Sequence, residues 1–169
     1  MKNEKLTLMA GIMVLVAVLA FFAFQQTTPA QASFQQPLKN SIMLTPDEVQ
    51  FKPGPASLPP GSEFALIEGN TMMVEPFEFR IKLPADYTLA PHRHSSIEHV
   101  TVISGSLYFG EGTEFDEAKA ELFPAGSVMI MPIGAPMFGF TREETVIQVH
   151  GVGPWSIEYI NPSDDPRKK

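Results

Sequence analysis

Three of the four histidines fall within the stretch Pro91–Gly105, PHRHSSIEHVTVISG. His92 and His94 are two residues apart and Glu98 follows four later. In an extended strand side chains alternate between faces, so all three even-numbered positions point the same way. Two imidazoles and a carboxylate on one face make a donor set for a divalent metal. A surface turn that happens to hold polar histidines uses the same residues, and the spacing alone does not separate the two. Under simple alternation His99 has the opposite parity from Glu98 and reads as a surface or supporting histidine, and Arg93 faces away from its neighbours.

No other constellation competes. Ser95 and Ser96 lack the Gly-x-Ser-x-Gly frame of a nucleophile elbow, the chain has no cysteine to act as nucleophile, and no phosphate-binding glycine loop precedes a helix.

The elements that must hold these residues read as strands. From Glu63 onward short apolar runs alternate with turn signals: FALIEG, VEPFEFRIKLP, EHVTVISGSLYFGEG, GSVMIMPIG, PMFGF, ETVIQVHG and WSIEYINP. Glu75–Leu83 alternates well, with Phe77, Phe79, Ile81 and Leu83 on one face and Glu78, Arg80 and Lys82 on the other. Met129 and Met131 alternate with Val128 and Ile130 and read as core or pocket wall. Phe138, Phe140 and Trp155 are core aromatics or line a pocket mouth. The acidic run Glu111–Glu121 is a solvated turn with one short helical loop. The class is all-β, a sandwich, barrel or jelly roll.

Before this domain, residues 33–62 form a proline-rich arm. Thr45–Glu48 begins a short helix that Pro53 stops, and Ile42, Leu44, Val49 and Phe51 are expected to dock on the domain. The barrel spans 63–161 and a polar tail, 162–169, is expected to fray.

At the N-terminus Lys2 and Lys5 precede an apolar run of 19 residues, Leu6–Phe24, followed by the small-x-small signal Ala30-Gln31-Ala32. Residues 1–32 are a signal peptide cut after Ala32, or an uncleaved membrane anchor through residues 6–24. Either way the remainder is expected to be exported, to the periplasm or outside the cell. The absence of cysteine leaves no lipid attachment and no disulfide, so the domain must be held by packing or by metal. A formal net charge of −7 with no basic patch argues against nucleic acid as a partner.

His92-x-His94-x3-Glu98-x6-Gly105 resembles the first motif of the cupin superfamily, with Asp86 where that motif has its leading glycine. Gly126-x5-Pro132-x-Gly134 is similar to the start of the second motif, with Met137 at its histidine position and Thr141 at its asparagine position. The EHVTVISG and QVHGVGP strings resemble a narrower group of small bacterial cupins. The resemblance implies a double-stranded β-helix barrel in which His92, His94 and Glu98 hold one divalent metal: iron, manganese, zinc, nickel or copper. Three arrangements stay open. The site has three ligands; or His150, sharing a face with Gln148, points into the lumen and supplies a fourth; or the site is degenerate and Met137 packs as core, its thioether being a poor substitute for imidazole among hard ions. The function implied is an exported metal-binding cupin with a small-molecule pocket, an oxygenase or isomerase. The alternative is a non-catalytic ligand-binding or sensing module, expected to pair as a homodimer through the sheet edge and the proline-rich arm.

Overall fold

Phe77, Phe79, Ile81 and Leu83 are all buried and the residues between them are half-buried, so the alternation of this strand does point one face into a core. It belongs to a set of eleven strands in a computed structural model that describes residues 40–169. The apolar run 6–24, the Ala30–Ala32 signal and the start of the arm lie outside the described residues. Among the described residues no helix is long and apolar enough to cross a membrane.

The strands are β1 (Lys52–Pro53), β2 (Glu63–Glu68), β3 (Pro76–Leu83), β4 (Thr88–His94), β5 (Glu98–Ser104), β6 (Ser106–Glu111), β7 (Glu121–Pro124), β8 (Val128–Met131), β9 (Met137–Phe140), β10 (Thr145–Val152) and β11 (Ile157–Tyr159). They form two antiparallel sheets, one ordered β1-β2-β3-β10-β5-β8 and the other β11-β4-β9-β6-β7. Between β3 and β6 every connection crosses from one sheet to the other, which is the winding of a jelly roll. The all-β reading therefore holds. Leu58, Val100, Val102, Leu107 and the inward face of β3 belong to one buried cluster between the sheets.

Two turns carry the geometry that the motif positions require. Gly105 has φ +71°, and a Cβ there would sit 2.4 Å from the Glu144 carbonyl oxygen, so only glycine fits. Asp86 also has positive φ, 57°, a conformation that aspartate tolerates better than most residues. Thr141 stands at 0% exposure beside that turn. Its hydroxyl donates to the Pro84 carbonyl at 2.6 Å and accepts from the Tyr87 N–H at 3.1 Å, tying the end of β9 to the loop before β4.

The arm departs from expectation. Of the four residues expected to dock, Val49 is buried and Phe51 is half-buried under the Lys82 ammonium, but Ile42 and Leu44 are 44% and 48% exposed. The outward face of β3 that Phe51 meets is polar, and it offers a Lys82 stem rather than an apolar groove. Pro46–Glu48 makes only one 3-10 turn, with the Glu48 carboxylate accepting from the Thr45 N–H and hydroxyl. The last part of the arm does dock: the hydroxyls of Tyr87 and Tyr159 donate to the carbonyls of Pro59 and Ser57, and Leu58 between them enters the core.

The tail is built into short turns. Asn161 and Asp165 cap two 3-10 turns, Asp165 is buried, and Arg167 binds both its carboxylate and the Ile157 carbonyl. The acidic run does contain one short turn, Glu117–Lys119, capped by Asp116.

Candidate metal centre

Simple alternation along β4 from Leu89, which lines the chamber between the sheets, would turn Pro91 and Arg93 inward and both histidines outward. A bulge prevents this. Leu89 pairs with Gly139 and His92 with Met137, so β4 spends one residue more than β9 between those pairs. The extra residue falls at Ala90–Pro91, where proline has no ladder hydrogen bond to lose. Parity is reset there, and His92 and His94 are each 5% exposed while Arg93 faces solvent and forks onto Glu158.

Glu98 reaches the same chamber from the opposite direction. The bends at Ser95 and Ser96 end β4, and Glu98 opens β5 in the other sheet. The expectation that all three share one strand face is therefore corrected: they converge because two sheets face each other. The shared parity of their numbers is incidental. Glu98 Oε2 lies 3.3 Å from His94 Nε2, and the His92 and His94 rings are 4.9 Å apart, near perpendicular.

The hydrogen bonds determine which ring nitrogens are free. His92 Nδ1 is 2.7 Å from the Ala90 carbonyl and His94 Nδ1 is 3.0 Å from the Ser156 carbonyl. A carbonyl only accepts, so each Nδ1 carries the proton, and in a neutral ring Nε2 keeps its lone pair. Burial holds both imidazoles neutral. It lowers the pKa of His92, and with the neighbouring His92 it lowers that of His94 to about 3. Burial pushes the Glu98 carboxyl up to about 8. The His94–Glu98 contact at neutral pH is thus no ion pair: it brings a protonated carboxyl up to a neutral imidazole.

The rest of the chamber is apolar, walled by Leu58, Leu107, Phe109, Met137, Val149 and Trp155. Its free volume is about 50 Å³, room for a few waters. Trp155 stacks on the His94 ring at 4.6 Å and 15°, fixing its plane. Phe138 and Phe140 are core and do not line the chamber: Phe138 packs on Phe115, and Phe140 stacks on Tyr108.

Met137, 1% exposed and paired with His92, sits at the chamber wall where the second motif has its histidine. The fourth-ligand reading of His150 is corrected. On β10 Ile147 and Val149 are buried, so the opposite parity places Gln148 and His150 outside the barrel. There Gln148 accepts from Arg80 Nε at 3.0 Å, and His150 stacks on His99 at 4.7 Å. The Ala90 and Ser156 carbonyls and the Trp155 stack went unread in the sequence, since every residue has a carbonyl and nothing local says which will meet a ring.

The donors suit a cation, although the side chains are not drawn together around one: among the described residues no three His, Cys, Asp or Glu groups converge closely enough to hold a metal. What fits is their chemistry, two Nε2 lone pairs and a carboxylate in an apolar chamber. The 3.3 Å between His94 and Glu98 also fits, since two neighbouring ligands about 2.1 Å from one ion stand roughly 3.0–3.4 Å apart.

Two facing antiparallel sheets with this histidine-bearing strand inside are the cupin fold. The chain is similar in structure to an RmlC-like cupin from Shewanella frigidimarina NCIMB 400, at 9% identity over 66% of this chain and 89% of the other, TM-score 0.51. It is also similar to an acetylacetone dioxygenase from Acinetobacter johnsonii, at 14% identity, 78% and 84% coverage and TM-score 0.59. The polyketide cyclase RemF from Streptomyces resistomycificus follows at 15% identity, 75% and 89% coverage and TM-score 0.57. At such identities the likeness shows the fold alone. The chain matches no family model and no curated protein.

Proposed function

We propose that His92, His94 and Glu98 bind one divalent metal ion and that a small molecule binds beside it in the chamber. The observation that carries this reading is the pair of backbone carbonyls at the two Nδ1 atoms, which leaves both Nε2 lone pairs free within the chamber. A metal bound there would supply a Lewis acid for oxygenase or isomerase chemistry. His92 and His94 are already neutral and oriented, and Glu98 would have to give up its proton to hold the cation. Leu107, Phe109 and Val149 exclude water, and Trp155 covers His94. The apolar walls favour a ligand with a small hydrocarbon body and a polar group directed at Glu98. The names of two structural neighbours, an acetylacetone dioxygenase and a polyketide cyclase, lend support to a carbonyl-bearing ligand.

A second reading, a non-catalytic binding module, is favoured by Met137 in place of a fourth imidazole. Metal analysis after reconstitution with iron, manganese, zinc, nickel and copper separates the two. About one equivalent that disappears in His94→Ala supports the metal centre, whereas a content that His94→Ala lowers with none of the five metals leaves the binding module.

Export remains part of the proposal, supported by Lys2, Lys5, the run 6–24 and Ala30–Ala32. Cell fractionation with N-terminal sequencing tests it; recovery of the uncut chain in the soluble cytoplasmic fraction would refute it.

A further inference from the structure

The two histidines that the inner site does not use stand together on the other side of the same sheet. His99 of β5 and His150 of β10 are directly paired in register, and their rings stack at 4.7 Å with 20° between planes. Glu78 of β3 is paired with His150 on its other flank, and Glu68 of β2 with Glu78 in turn. One outward row thus reads Glu68, Glu78, His150, His99 across four adjacent strands. Arg80, one outward position along β3, is held by Gln148.

The groove around the pair is lined by Ser96, Ile97, Ile133 and Val152, and the buried Ser96 Oγ has no hydrogen-bond partner. Residues directly opposed on antiparallel strands have Cβ atoms about 4.5–5.5 Å apart, close enough for two imidazoles to share one ion at roughly 2.0–2.1 Å from each. The stacked rings do not yet aim their nitrogens at one point. His150 is exposed and free to turn about its side-chain torsions to do so.

We infer that His99 and His150 form a second, exterior cation site that takes one zinc(II), copper(II) or nickel(II) ion. Imidazole selects these ions over magnesium and calcium, which prefer oxygen donors. Glu78 and Glu68 favour a cation over an anion in the same row. Such an ion would join β5 to β10 at the residue that follows Glu98, stiffening the strand that presents Glu98 to the chamber. The inference does not depend on the inner site holding metal.

The test is titration of the full chain with nickel(II) and zinc(II), followed by calorimetry and by the histidine ring signals in NMR. His99→Gln and His150→Gln, both at outward positions, are each expected to weaken one equivalent of binding by about tenfold or more. His94→Ala should leave that equivalent in place, and magnesium should not compete for it. In the unmutated chain, zinc should shift the ring signals of His99 and His150 together. If those two signals stay unmoved at saturating zinc, or if both outward variants keep the affinity of the unmutated chain, the site does not exist. Loss of the equivalent in His94→Ala alone assigns the binding to the inner site and overturns the inference equally.

Discussion

His94 Nε2 and Glu98 Oε2 meet at 3.3 Å although their strands lie in different sheets. The contact joins a neutral imidazole to a protonated carboxyl, and it is the place where a cation would exchange with a proton.

A pH dependence of stability follows for the chelator-treated protein. Glu98 keeps its proton in the folded state up to about pH 8 but loses it above about 4.5 when unfolded, so the folded state binds more protons in that interval and rising pH weakens folding. His94 stays neutral in the folded state down to about pH 3 but takes a proton below about 6.5 when unfolded, so falling pH weakens folding; His92 acts in the same direction. Between pH 4.5 and 6.5 His94 and Glu98 act in opposite directions, and the lowered pKa of His92 tips the balance toward stability that rises with pH. From 6.5 to 8 Glu98 acts alone and stability falls. Thermal melts in chelator are expected to peak near pH 6.5; a profile still rising at pH 8 contradicts the assignment.

Met137→His should tighten zinc binding at the inner site, because Met137 already lines the chamber opposite His92 and His150 lies outside. The expected gain is about tenfold or more, read by competition with a chelator. His150→Ala should leave inner-site affinity unchanged; a large loss there would restore His150 as a ligand.

Trp155 is the only tryptophan and stacks on His94 at 4.6 Å. Its fluorescence therefore reports the inner site. Copper(II) or nickel(II) should quench it in proportion to occupancy, and His94→Ala should abolish the saturable part. Saturable quenching of unchanged affinity in that variant would place the ion elsewhere.

Thr141→Val keeps shape but leaves the Tyr87 N–H and the Pro84 carbonyl without their partner at a fully buried position. A loss of about 2–4 kcal/mol is expected in urea unfolding. Thr141→Ser, which keeps the hydroxyl, should recover most of it. Equal losses in the two variants would point to methyl packing instead.

The sequence alone specified the class of fold through period-two alternation, because one face of a half-buried strand must be apolar wherever it lies. Phe77 to Leu83 needed no partner to be read. It also placed His92, His94, Glu98 and Met137 at one site, through spacing that matches a known motif. It misjudged the route by which they meet: alternation along a continuous strand ignores the bulge at Ala90–Pro91 and the crossing between β4 and β5, and both depend on pairing with distant strands. The same limit left open whether Gln148 and His150 point into the barrel, because the inward parity of β10 depends on how Ile147 and Val149 pair with β5. Only the tertiary structure decided the protonation of the site, since the carbonyls of Ala90 and Ser156 and the burial of Glu98 exist only once the two sheets close. The four histidines look alike in the chain; the sheet separates them into an inner pair with free Nε2 atoms and an outer pair stacked in register.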